Sequence, residues 1–202
     1  MKKIAVLCSG RGTNLEALIK NKEAGVLKAD IALVLSDNAD ARALSIAREH
    51  GIKSVYMDPG PKKTWLIPEI EAHWVQFLKD FSIDLVCLAG FMRIIKKTLL
   101  DAFTGRILNI HPALLPAFPG LEVQKKALEY GVKFSGCTVH FVDDSVDGGP
   151  IICQAVVPIL DDDTPDILAD RILKEEHRIY TEAINLVLSG KYRIEGRRVI
   201  RT

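Results

Sequence analysis

Along the chain, short runs of consecutive apolar residues alternate with longer stretches in which apolar residues recur every three or four positions. "KIAVLCS" precedes "TNLEALIKNKEAG", "IALVLSD" precedes "ADARALSIAREHG", "KSVYMD" precedes "IPEIEAHWVQFLKDFS", and "DLVCLAG" precedes "IIKKTLLDAF" and then "RILNIH". Unbroken apolar runs bounded by turn residues fit strands buried on both faces, whereas a 3.6-residue period buries one stripe of a helix. The alternation predicts repeated βαβ units, hence an α/β fold with an open, mainly parallel twisted sheet flanked by helices on both faces. The punctuation agrees. Thr13 and Glu16 have the spacing of a capping box, Gly25 and Gly51 suit helix ends, and Pro68 suits a first helical turn.

After Gly120 the pattern changes. "LEVQKKALEYG" predicts one more helix, and "FSGCTVHFVDDSVDGGPIICQAVVPIL" reads as two strands joined by an acidic loop, expected to be antiparallel. A long helix is predicted from about Thr164 to Gly190, followed by a short basic edge strand within "YRIEGRRVI". No repeat, low-complexity tract or linker interrupts the pattern. The 202 residues are therefore expected to form a single domain, 1–202, and the Pro/Gly-rich "MDPGPKK" is expected to be a surface flap.

Composition narrows the partners. A net formal charge of +1 leaves no overall electrostatic footprint for nucleic acid or a membrane surface, so small-molecule substrates are expected. Cys8, Cys87, Cys137 and Cys153 each sit in an apolar stretch without CxxC spacing, which reads as buried free thiols in a reducing, cytoplasmic setting. The basic start "MKKIAVLCSGRG" loses its apolar character after five or six residues and runs into a glycine turn. It reads as a first strand, not a signal peptide. His50, His73, His140 and His177 show no metal-ligand spacing, and no metal is expected.

In an open parallel sheet, ligands bind beyond the carboxyl ends of the strands, which directs attention to four stretches. "SGRGTN" joins a strand to a helix. Its amides suit a phosphate, although the same glycines would serve an ordinary turn. "AGFMRII" could wall a pocket for a flat ring or simply join the core. The strand "RILNIH" closes on Asn109 and His111, which project to one face because residues i and i+2 of a strand do so. The pair is either a structural hydrogen-bonding terminus or an oxyanion site, the amide donating and the imidazolium donating or transferring a proton. The last stretch, "VDDSVDGGP", is either a solvated turn or a carboxylate source. A carboxylate about 4 Å from His111 would favour its imidazolium by roughly 4 kcal/mol at an effective dielectric near 20.

Taken together, "CSGRGTNLEAL", "LAGFMRI", "LNIHPALLPAFPG" and "SGCTVHFVDDSVDGGPII", in that order between about residues 3 and 190, closely resemble the folate-dependent formyltransferases. Within that family they resemble the branch that formylates glycinamide ribonucleotide. The resemblance implies a Rossmann-like formyltransferase fold with a nucleotide-binding half, 1–105, and a catalytic and folate-binding half, 106–202. It also implies formyl transfer from 10-formyltetrahydrofolate to the primary amine of glycinamide ribonucleotide, a step of purine synthesis, by a monomer or homodimer. The family's catalytic trio falls on Asn109, His111 and Asp147. Its phosphate loop falls on Gly12, Thr13 and Asn14, and a substrate-side carboxylate falls on Glu176. The folate pocket falls on Met92, Arg93, Ile94 and Ile95, with Asp143 and Asp144 from the acidic loop. Family members usually carry a cation before "LAGFMRI" for the folate's glutamate tail. Here "PGPKKTWLIPEIEAHW" occupies that region and Lys62 and Lys63 are the candidates.

Methionyl-tRNA formyltransferase and formyltetrahydrofolate deformylase share the trio, but each is expected to need a further domain, at the C- or N-terminus respectively. Here the first strand starts at Ile4 and about a dozen residues follow the last long helix, so neither is the expected reading. A non-catalytic nucleotide-binding module would leave Asn109, His111 and Asp147 unexplained.

Overall fold

In the computed structural model, which describes residues 1–202, the apolar runs form strands and the periodic stretches form helices. The chain divides into two units, Met1–Asn109 and Ile110–Thr202. The first contains β1 (Lys3–Leu7), α1 (Thr13–Glu23), β2 (Asp30–Ser36), α2 (Arg42–Glu49), β3 (Ser54–Tyr56), α3 (Pro68–Asp80), β4 (Leu85–Leu88) and α4 (Lys97–Ala102). Strand β5 (Ile107–His111) begins in it, and its last residues, Ile110 and His111, belong to the second unit. These strands lie in the order β3-β2-β1-β4-β5, and all of their pairings are parallel. Strand β1 is central, with Val6 beside Val34 on one side and Cys87 on the other. Ile4 through Cys8 are fully buried, each large aliphatic side chain contributing roughly 1.5–3 kcal/mol of hydrophobic stabilisation.

The second unit contains α5 (Val123–Tyr130), β6 (Phe134–Phe141), β7 (Ile151–Pro158), α6 (Pro165–Ser189), β8 (Tyr192–Glu195) and β9 (Arg198–Arg201). Its strands run β6-β7-β9-β8, with the β6/β7 and β8/β9 pairs antiparallel. The expected class, a mainly parallel α/β sheet with an antiparallel C-terminal part, is the one found. Helix α6 starts where Thr164 accepts a hydrogen bond from the Ile167 amide through its side chain, and stops at Gly190 in the left-handed conformation. No helix is long and apolar enough to cross a membrane.

Three local expectations are corrected. The N-cap of α1 is Gly12 with φ 77°, so Thr13 is already helical, no side chain caps the helix, and the Thr13/Glu16 capping box does not form. Helix α4 begins only at Lys97, because Ile94 is extended, bridges Trp65 and donates its amide to the Thr64 carbonyl at 2.8 Å. The basic tail forms two paired strands around Gly196 in place of one edge strand.

Candidate active site

Strand β5 ends as its sequence predicts, with Asn109 half-buried and His111 buried. Beyond it the chain turns through "PALLPAFPG". That segment is held by β6 and β7: Thr138 Oγ1 donates to the Ala113 carbonyl at 2.7 Å and accepts from the Leu115 amide at 3.1 Å. Gln154 Nε2 donates to the Leu115 carbonyl at 2.9 Å. These bonds satisfy backbone groups that a proline-rich turn leaves without ladder partners. The turn then brings the Phe118 carbonyl oxygen to 2.9 Å from His111 Nε2. Phe118 sits at φ 53°, a conformation that costs a bulky L residue roughly 1–2 kcal/mol, and its ring meets Tyr130 edge-on.

On the other side of the imidazole, Asp147 Oδ2 lies 3.5 Å from His111 Nδ1. Oxygens thus face both ring nitrogens. An imidazolium, with two donors, satisfies both, whereas a neutral ring satisfies one. Asp147 is itself fixed. Its Oδ2 accepts from the Gly120 amide at 2.9 Å, and it adopts φ 52°, which aspartate tolerates better than most residues. The following Gly149 permits a close approach, since a Cβ there would lie 1.9 Å from the Phe141 carbonyl oxygen.

A second histidine, absent from the candidates, completes the cluster: His140 Nε2 lies 3.8 Å from Asp147 Oδ1, while its Nδ1 is 2.8 Å from the Phe141 carbonyl. Burial holds His140 below the ordinary histidine value of 6.5, with the backbone bond and Asp147 opposing and His111 adding to the shift. Its only sequence signal was a position in an apolar strand seven residues before Asp147. Phe118 and Gly120 act through backbone atoms, and such a role leaves no trace in residue type.

In the first unit, Gly12, Thr13 and Asn14 open α1 as expected, and the first-turn amides of a helix lie outside its own i to i−4 ladder. Gly12 has a packing duty. A Cβ on it would lie 2.8 Å from Ala43 Cα, so the glycine lets the loop pack on α2, and a larger residue there would test packing before it tested phosphate. The "FMRII" stretch divides between the two readings: Phe91 and Ile95 are core, Phe91 packing on Trp74 at 5.7 Å, while Met92 and Ile94 are 55% and 39% exposed. The Arg93 side chain is engaged by Asp37 through Nε at 2.6 Å and by the Lys62 carbonyl. Lys62 and Lys63 are exposed, with Lys62 Nζ 5.8 Å from the Trp65 ring centre. Glu176 is buried on α6, and Asp143 is turned to the amide of Ser145 at 3.0 Å, with Asp144 exposed.

A cavity of about 400 Å³ opens elsewhere in the first unit, beside Trp65, Glu71, Lys96, Lys97 and Thr98. Glu71, buried on α3, accepts there from the Lys96 amide at 2.7 Å and the Thr98 amide at 3.0 Å, so its carboxylate caps α4. None of the trio lines that cavity. The cysteines are free thiols, and burial pushes Cys8 up to about 12 and Cys153 up to about 11, which leaves them unsuited to nucleophilic work. No group of three or more His, Cys, Asp or Glu side chains is arranged to hold a metal ion.

Comparison with known proteins gives a consistent answer. A family model described as formyl transferase matches residues 2–184. A phosphoribosylglycinamide formyltransferase of Haemophilus influenzae is 39% identical over 96% of this chain and 91% of its own length. The trifunctional purine biosynthetic protein adenosine-3 of Drosophila melanogaster is 46% identical over 94% of this chain, which spans only 14% of that much longer relative. A crystal structure of glycinamide ribonucleotide transformylase 1 from Symbiobacterium toebii superposes with a TM-score of 0.95 at 52% identity, covering 100% of this chain and 94% of that one. On its matched sequence and its fold, this chain belongs to the formyl transferase family.

Proposed function

We propose that the protein transfers the formyl group of 10-formyltetrahydrofolate to the amine of glycinamide ribonucleotide in purine biosynthesis. The names borne by its relatives support the substrates. The observation that carries the chemistry is the oriented pair of His111 and Asp147, 3.5 Å apart, at the end of the strand that also bears Asn109. In this reading the amine nitrogen attacks the formyl carbon, and the carbonyl oxygen becomes an oxyanion. Asn109 donates to that oxygen through its amide, and His111 donates or delivers a proton. Asp147 keeps the imidazolium favourable and assists removal of the proton from the attacking nitrogen. Collapse re-forms the carbonyl and expels the folate nitrogen, which leaves with a proton. The Phe118 carbonyl lies on His111 Nε2, so that carbonyl has to yield if this nitrogen is to serve the oxyanion.

The glycine-loop half, 1–105, is assigned to the ribonucleotide, its phosphate on the amides of Gly12, Thr13 and Asn14. Glu176 is assigned to the substrate side. The half 106–202 is assigned to catalysis and folate, with Met92 to Ile95, Asp143, Asp144 and the cations Lys62 and Lys63 contributing to the folate. The free thiols, three of them buried and Cys153 half-buried, suit a reducing, cytoplasmic setting, for a protein acting as a monomer or homodimer.

Release of tetrahydrofolate from 10-formyltetrahydrofolate is expected to require glycinamide ribonucleotide and to yield one formylated product per folate released. Release without the ribonucleotide would instead mark a deformylase, and formylation only of methionyl-tRNA would mark the tRNA enzyme.

A further inference from the structure

Within the first unit, the carboxyl ends of β1, β2 and β4 are tied together by a polar cluster. Ser9 Oγ, in the glycine loop after β1, donates to Asp37 Oδ1 at 2.5 Å and accepts from the Met92 amide at 2.9 Å. Arg93 Nε donates to the other Asp37 oxygen at 2.6 Å, and the guanidinium also donates to the Lys62 carbonyl. Asn38, next to Asp37, donates through Nδ2 to the Ser9 carbonyl at 3.1 Å. Side-chain exposure is only 5% for Asp37 and 13% for Arg93, so water screens the pair weakly.

We infer that Asp37 is a positioning residue that locks the Ser9–Asn14 glycine loop and the Met92–Ile95 segment into one geometry, so that a single carboxylate governs the binding of both substrates. The inference rests on formyl transfer as the activity, which places the ribonucleotide phosphate on the first segment and folate on the second. One oxygen of Asp37 orients the Ser9 hydroxyl, which in turn holds the Met92 amide. The other neutralises Arg93, whose remaining donor anchors the loop carrying Lys62 and Lys63. Because Asp37 matches the Arg93 charge, the 92–95 segment offers folate its backbone and the exposed side chains of Met92 and Ile94.

The test compares Asp37→Ala, Asp37→Asn and Ser9→Ala, each first checked for an unchanged circular dichroism spectrum. In Asp37→Ala the KM values for ribonucleotide and formyl folate are expected to rise together, each by roughly tenfold or more, the worth of a charge-assisted hydrogen bond, with kcat within about threefold of its starting value. Asp37→Asn, which keeps an acceptor for the Ser9 hydroxyl, should recover part of that loss. Should Asp37→Ala fail to fold, Asp37→Asn and Ser9→Ala carry the same comparison. Hydrogen exchange adds a readout independent of turnover: in the Asp37 variants the amides of Gly10 to Gly12 and of Met92 should exchange faster together. Movement of one KM alone, a fall in kcat alone, or independent exchange of the two segments overturns the inference. If the unsubstituted protein transferred no formyl group, the functional reading would fall, and the exchange experiment alone would decide for or against the coupling.

Discussion

Asp147 is held by three constraints: a left-handed backbone, the Gly120 amide on Oδ2, and a histidine near each oxygen. Asparagine tolerates the same backbone and keeps one oxygen for Gly120, so Asp147→Asn is expected to fold and to bind both substrates nearly as before. What it loses is the negative charge beside His111. The single-turnover rate is therefore expected to fall by about 10² to 10⁴, the usual cost of removing a proton-transfer partner. His111→Ala should be about as damaging, and the double variant little worse than either, because residues that act as a unit are not additive. Near-normal turnover in Asp147→Asn would return the acidic loop to a purely structural role. Asn109, His111 and Asp147 could be singled out as candidates because their side-chain chemistry names them. Phe118 and Gly120 were not, since any residue brings the same carbonyl and amide.

At the scale of elements, the proline-rich turn after β5 depends on a threonine in a neighbouring strand. Thr138 is fully buried, bridges Ala113 and Leu115, and also accepts from Gln154 Nε2 at 2.9 Å. Thr138→Val preserves shape and leaves these groups unsatisfied, so a loss of about 1–3 kcal/mol is expected in urea unfolding, with Thr138→Ser losing less. A valine variant as stable as the starting protein would show that the turn closes without this bridge. Helix α1 carries a similar lesson. Its sequence spelled a capping box, yet the packing of Gly12 against Ala43 set the first residue one position earlier and turned Thr13 into the helix. Glu71 was invisible as a cap because its amides, at Lys96 and Thr98, lie more than twenty residues away in sequence.

At the scale of the whole molecule, the buried and paired titratable groups define how stability responds to acid. His140 is held below its ordinary 6.5, so the folded chain binds fewer protons than the unfolded chain just below that pH, and stability falls as the pH drops from 6.5 toward the folded value. Asp163, paired with Arg171, and Asp84, bonded to Lys2, are both held below the usual 3.8. Their stabilisation is complete above 3.8 and is lost as the pH falls from there through their folded values. Urea midpoints are thus expected to decline as the pH falls below about 6.5, where His140 contributes, and to decline further below 3.8, where Asp163 and Asp84 contribute. His140→Gln should flatten the decline that begins below pH 6.5. An unchanged slope in that variant would assign the transition to another group.

The sequence by itself determined the strand and helix alternation, the parallel first half and antiparallel second half, the glycine loop at a helix start, and the placing of Asn109 and His111 together at a strand end, with Asp147 named as their partner only by resemblance. These follow from local periodicity, from backbone punctuation, and from side chains whose chemistry is rare at a strand end. Only the tertiary structure decided which partners surround them: His140 beside Asp147, the Phe118 carbonyl on His111, Thr138 beneath the proline turn, and Asp37 joining Ser9 to Arg93. The physical reason is distance along the chain. A hydrogen bond between Ser9 and Asp37, or between Arg93 and Asp37, spans tens of residues and forms only when parallel strands set their ends side by side. No local pattern records where another strand will end.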